Sequence, residues 1–189
     1  MAEKEKRQEQ EQKKIIRFVK HVNITRKCEI IKFQKELPPD AIISLEGQTG
    51  FIEQTVVGLG VCLKEDWDYE LGKRTPSNSG INPSDMGVIY EGDALLRDIF
   101  RMSVIKKFRN KNYRGFGKGI LLLDIEHPLM TEDLLERLKE EILYWHEDPG
   151  VEDHGFFQEV YISVSPNSRN NFTMNYYRIY KDGTWSCEF

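Results

Sequence analysis

The sequence predicts an α/β fold in which helices cover a mixed central sheet. Three observations carry this expectation. Apolar residues recur at helical spacing from Ile15 to Val22, and Leu95, Leu96, Ile99, Phe100, Ser103 and Lys107 mark a second helix. Two short apolar runs, Ala41–Leu45 and Phe51–Val57, flank Glu46-Gly47-Gln48-Thr49-Gly50 and read as a β-hairpin around a Gly-containing turn. Gly119–Ile125 is a continuous apolar run of the kind that forms a strand covered on both faces.

Taken in order, residues 1–12 are almost wholly Glu, Lys, Gln and Arg and are expected to fray as a charged lead-in. Residues 13–189 are expected to form a single domain. Ile15, Ile16, Phe18, Val19 and Val22 give the first helix one buried face, and Asn23 with Thr25-Arg26-Lys27 ends it. Cys28–Phe33 reads as a strand. Pro38-Pro39 then imposes an extended approach to the hairpin, because proline disfavours the helical region in the residue before it. Residues 58–92, rich in Gly, Pro, Ser, Asn and Asp, read as a long flexible loop.

A second helix is expected from about Asp93 to Asn110, with an acid at its start and bases in its second half to complement the helix dipole. Gly115–Gly119 reads as a turn. It precedes a strand, so it lacks the following helix that a phosphate loop requires. Thr131 is the expected N-cap of a third helix with Leu134, Leu138, Ile142 and Trp145 as its buried stripe. Phe157–Val164 and Tyr176–Tyr180 are further strands, and Tyr176, Tyr177, Tyr180 and Trp185 together read as an amphipathic edge strand. The order is α-β-β-β-α-β-α-β-β, and helices that join strands of one sheet make it mixed.

Composition narrows the function classes. No apolar run approaches the roughly 18 residues of a membrane span, and the polar N-terminus does not read as a secretory signal. Cys28, Cys62 and Cys187 are isolated thiols, which fit a reducing cytoplasm better than a disulfide framework. The four histidines are equally scattered, with no zinc-ligand spacing.

The net charge of −4 conceals two opposite fields. Residues 97–118 carry eight bases against one acid, Asp98, and 124–153 carry eleven acids against two bases. The basic stretch offers a face to a polyanion, since local fields steer approach even to an acidic protein. The acidic stretch offers one to a basic protein partner.

Two carboxylates stand out. Asp40 sits where the first hairpin strand begins, and Glu53 lies inside the second, between apolar Ile52 and the Val56-Val57 pair. Antiparallel strands can bring two such groups together at one end of a sheet. A central strand rarely carries an unpaired acid. Two hard oxygen ligands suit Mg²⁺, which is usually held by one or two carboxylates plus substrate phosphates.

Pro39-Asp40, Glu53-Gln54-Thr55 and the element order resemble the PD-(D/E)XK nuclease superfamily, the restriction-endonuclease-like fold. The likeness covers an αβββαβ core over roughly residues 11–125, followed by a C-terminal α-β-β extension. It implies Asp40 and Glu53 as catalytic ligands of Mg²⁺ or Mn²⁺, with the Gln54 carbonyl completing the metal shell. It implies a further acid from the first helix, Glu11 being the nearest and Glu9 the alternative.

Thr55 occupies the lysine position of the motif. Threonine can hydrogen-bond water but brings no charge to offset that of the phosphate. Lys106 or Lys107 on the following helix is expected to supply the missing cation. Arg101, Arg109, Lys111 and Arg114 are the expected phosphate contacts on nucleic acid. The alternative expectation is a nuclease fold without catalysis, serving as a regulatory module for a protein or nucleic-acid partner.

Overall fold

A computed structural model describes residues 2–34, 37–58, 100–126, 136–138, 140, 142, 155–164 and 175–188. Helix α1 spans Ala2–Val22 and is followed by strands β1 (Cys28–Phe33), β2 (Ala41–Leu45) and β3 (Gln48–Gly58). Residues 100–108 are helical and are called α2 here. A short 3₁₀ turn at Lys111–Tyr113 leads into β4 (Lys118–Glu126). Strands β5 (Phe157–Val164), β6 (Asn175–Lys181) and β7 (Thr184–Glu188) complete the described elements.

The seven strands form one sheet in the order β1-β2-β3-β4-β5-β6-β7. β3, β4 and β5 run parallel, while every other neighbouring pair is antiparallel. The expected mixed sheet is therefore present. Parallel neighbours require a crossover, and α2 lies between β3 and β4 in the chain. Helical residues 136–138, 140 and 142 lie between β4 and β5, and Leu138 and Ile142 there are buried as the expected stripe requires.

Alternation along the strands divides the core in two. Phe51, Val57, Leu121 and Leu123 join Val104 and Phe108 of α2 on one face. Ile52, Ile120 and Leu122 join Ile15, Phe18 and Val19 of α1 on the other. β4 is buried from Gly119 to Ile125, as its unbroken apolar run predicts. At the far end of α1, Arg26 grips Glu159 of β5 through both guanidinium nitrogens, and the Tyr161 hydroxyl donates to the same carboxylate at 2.9 Å. Burial alone would raise the Glu159 pKa, but the Arg26 hydrogen bonds and charge hold it below the ordinary value.

Several boundaries differ from the sequence expectation. α1 runs from Ala2, so the charged segment 1–12 forms its first turns, with an i,i+4 ion pair between Glu9 and Lys13. The hairpin turn is only two residues, because Gln48, Thr49 and Gly50 pair with Leu45, Ser44 and Ile43. Glu46 (φ 52°) and Gly47 (φ 82°) both take positive φ, the pattern that matches the twist of antiparallel strands. β6 is not an edge strand. Asp182-Gly183 turns the chain back into β7, which places Trp185 opposite Tyr180. The expected loop at 58–92 falls outside the described residues except for Gly58, which ends β3.

Gly119 is required by packing. A Cβ there would lie 2.3 Å from Cζ of Phe51, whose ring is fully buried and stacks on Tyr113 at 5.2 Å between centroids. The ring also meets Phe157 edge-on and has nowhere to go. Gly119→Ala is expected to lower stability by about 1–3 kcal/mol, read as a reduced urea midpoint at unchanged m-value. An unchanged midpoint would contradict this packing.

Candidate functional site

The register of β2 and β3 creates the site. Ala41 pairs with Ile52, so Asp40, one residue before β2 begins, comes opposite Glu53. Past Ile52 the β2 side of β3 has no strand partner among the described residues. There the Gln54 N–H donates to Asp40 Oδ2 at 2.7 Å. Glu53 shares the α2 side of the sheet with Phe51 and Val57, and the ammonium of Lys107 on α2 donates to its Oε1. Only 5% of the Glu53 side chain and 22% of that of Lys107 remain exposed.

These groups meet in one cleft of about 310 Å³, lined among others by Glu11, Asp40, Glu53, Lys107 and Asn110. Glu11 arrives from α1. The inward stripe of that helix is apolar at Ile15, Phe18, Val19 and Val22, and one turn earlier it becomes Gln8, Glu11 and Gln12. The helix thus packs on the sheet with its second half and overhangs the cleft with polar residues of its first.

Asp40 titrates high, near 6. Burial is the larger cause and the Glu53 charge the next, against partial relief from the Gln54 N–H and Lys107. Two carboxylates held together in a half-dry cleft resist sharing negative charge. Among the described residues Glu53 Oε2 is buried with no hydrogen-bond partner. An orphaned carboxylate oxygen beside a second acid is the donor chemistry that a hard cation satisfies. Among the described residues no three His, Cys, Asp or Glu side chains come close enough to share an ion.

Of the residues expected to act together, Glu11, Asp40, Glu53 and Lys107 converge. Gln54 contributes its backbone N–H to Asp40, while its side chain is buried with neither amide atom partnered among the described residues. Thr55 is half-buried farther along β3 and stands outside the cleft lining. Lys106 points to solvent. Helical geometry gives only one of the two adjacent lysines to the sheet, and it is Lys107. Arg101 is half-buried, whereas Arg109, Lys111 and Arg114 are exposed and outside the lining. Glu9 is exposed and engaged by Lys13. Asp124 does not belong to an acidic surface: it is 1% exposed and bonded by Lys14 of α1. Most of the remaining stretch to 153 lies outside the described residues.

Tyr113 is a site residue that sequence reading missed. It is fully buried, with the Glu53 carboxylate and the Asn110 side chain acting on its hydroxyl. Burial first, and the Glu53 charge second, push its pKa upward, so the phenol stays protonated beside the carboxylate. No sequence signal marked it: in the Asn110–Tyr113 turn Asn110 Oδ1 accepts from the Asn112 N–H at 3.0 Å and swings the ring under Phe51.

Two expectations follow. Lys107→Met leaves Glu53 as an uncompensated buried charge, a loss of about 3–5 kcal/mol; adding Glu53→Gln to that variant should recover much of it in chemical denaturation. Separately, between the ordinary aspartate value and about 6 the folded chain holds a proton on Asp40 that the unfolded chain has released. Stability without divalent cations should therefore fall as pH rises through this window, by about 3 kcal/mol at most. Asp40→Asn should flatten that slope, and a slope of the same size in the variant would rule out Asp40 as its source.

No family model, curated protein or solved structure matches this chain, so what the site does must follow from its own chemistry.

Proposed function

We propose that this chain is a divalent-metal-dependent nuclease of restriction-endonuclease-like build. The observation that carries the proposal is the convergence of Asp40, Glu53 and Lys107 in one cleft at the end of a mixed sheet. The succession α1-β1-β2-β3-α2-β4 agrees with the αβββαβ core that the motif implies.

Asp40 and Glu53 would hold Mg²⁺ or Mn²⁺, with the Gln54 carbonyl and Glu11 as the further candidate oxygens. A cation bound there would supply a water of lowered pKa and neutralise phosphate charge. Lys107 brings the cation that Thr55 lacks, from the neighbouring helix instead of the same strand. Its ammonium is placed to offset the extra negative charge of the pentavalent phosphate. Hydrolysis adds one water to phosphorus and breaks one bond to a sugar oxygen, leaving a phosphomonoester and a hydroxyl. The exposed Arg109, Lys111 and Arg114 stand outside the cleft, where flanking phosphates of a nucleic acid would lie.

A second reading has one observation in its favour. Glu53 is almost enclosed and already bonded by Lys107, as in a purely structural ion pair, which suits a module that binds a partner without cutting. Cleavage assays separate the two. Wild-type protein with Mg²⁺ or Mn²⁺ should cut duplex, single-stranded or branched substrate, and Glu53→Gln should abolish cutting while the fold persists. A well-folded wild type that cuts none of these substrates with either metal would exclude the nuclease reading and leave the binding module.

A further inference from the structure

The cleft that holds the carboxylates is built of more than charge, and its remaining lining bears on the substrate. Resting on the nuclease reading above, we infer that this cleft receives a single unstacked nucleotide, so that the preferred substrate is single-stranded or locally unpaired nucleic acid and not continuous duplex.

Depth argues first. Glu53 is 4% exposed and Asp40 is half-buried. A phosphate on the outside of an intact helix would have to pass the cleft walls to reach them. The volume of about 310 Å³ lies at the low end of the ~300–1,000 Å³ range of small-ligand pockets. That leaves room for one nucleotide and none for a pair of strands.

The walls argue second. The inward stripe of α1 presents Gln8 and Gln12 on either side of Glu11, and Gln34 follows β1 on the facing wall beside Phe33. Carboxamides pair with the donor–acceptor edges of bases, and aromatic rings stack on base faces. Phe33 is half-buried, with Leu37 and Pro38 extending its apolar wall. Among the described residues Lys107 is the only cation in the lining. A surface evolved to track the two backbones of a duplex would present several. The exposed arginines and lysines near the end of α2 lie outside and are free to follow the strand as it leaves. Taking a base out of a stack costs a few kcal/mol and least where it is already unpaired, which sets the substrate preference.

The test compares one sequence as a single strand, as a continuous duplex and as a duplex carrying an unpaired stretch, each with Mn²⁺. Single-stranded and unpaired substrates should be cut at least about tenfold faster than continuous duplex. Gln34→Ala should raise KM on the single strand by about tenfold with little change in kcat. In parallel, titrating isotope-labelled protein with a 5′-nucleoside monophosphate should shift the side-chain amide signals of Gln12 and Gln34. Duplex cut as fast as single strand, with Glu53→Gln inactive, would overturn this inference and leave the nuclease reading intact. If nothing is cut, the titration decides alone: shifts at those amides uphold the nucleotide cleft, and unmoved amides at millimolar nucleotide overturn it.

Discussion

Glu46 and Gly47 both take positive φ, and the two-residue turn they form leaves β2 and β3 one way to pair. Everything at the opposite end of the sheet depends on that register. A slip of one residue would turn each side chain of β3 to the other face. Glu53 would then lie under α1, away from Lys107, and Ile52 would exchange cores with Phe51. Because both faces of β3 are packed with apolar side chains, the slipped arrangement would lose its burial on each side. The same register ends β2 opposite Ile52, which frees one side of Glu53 and Gln54 just where Asp40 arrives.

The sheet end so formed carries two buried lysine–carboxylate pairs on opposite faces. Lys107 of α2 meets Glu53 on one, and Lys14 of α1 meets Asp124 on the other. Each acid has one oxygen engaged and the other without a hydrogen-bond partner among the described residues. Such pairs are weak evidence for stability, because desolvation offsets most of their attraction. Their consequence here is positional. Lys14 lies three residues beyond Glu11, so its hold on Asp124 sets where Glu11 overhangs the cleft. Lys107 is drawn toward the sheet by Glu53, while the adjacent Lys106 is left in water.

Much of the architecture was legible because hydrophobic period and burial agree. The two-faced β4 declared itself by an unbroken apolar run, and the hairpin by its paired apolar stretches. Asp40 and Glu53 were legible because an acid within an apolar strand is hard to place unless it is paired or used. Less legible was anything set by tertiary approach. Periodicity could not choose between Lys106 and Lys107, since the choice depends on how α2 lies on the sheet. Tyr113 carried no signal in the sequence, because its place under the Phe51 ring is set by tertiary packing. Gln8 and Gln12 were hidden in a charged run whose helical phase shows only when Ile15 and Phe18 are packed. The β6–β7 turn was an avoidable miss, for Asp182-Gly183 between β-prone residues is itself a hairpin signal.

The central claim is that Asp40 and Glu53 form a divalent-cation site. A crystal soaked in Mn²⁺ and measured at the manganese absorption edge tests it most directly. An anomalous peak between the two carboxylates, lost in Asp40→Asn, is the result this account predicts. A well-ordered cleft with both side chains in place and no peak at saturating Mn²⁺ would contradict it.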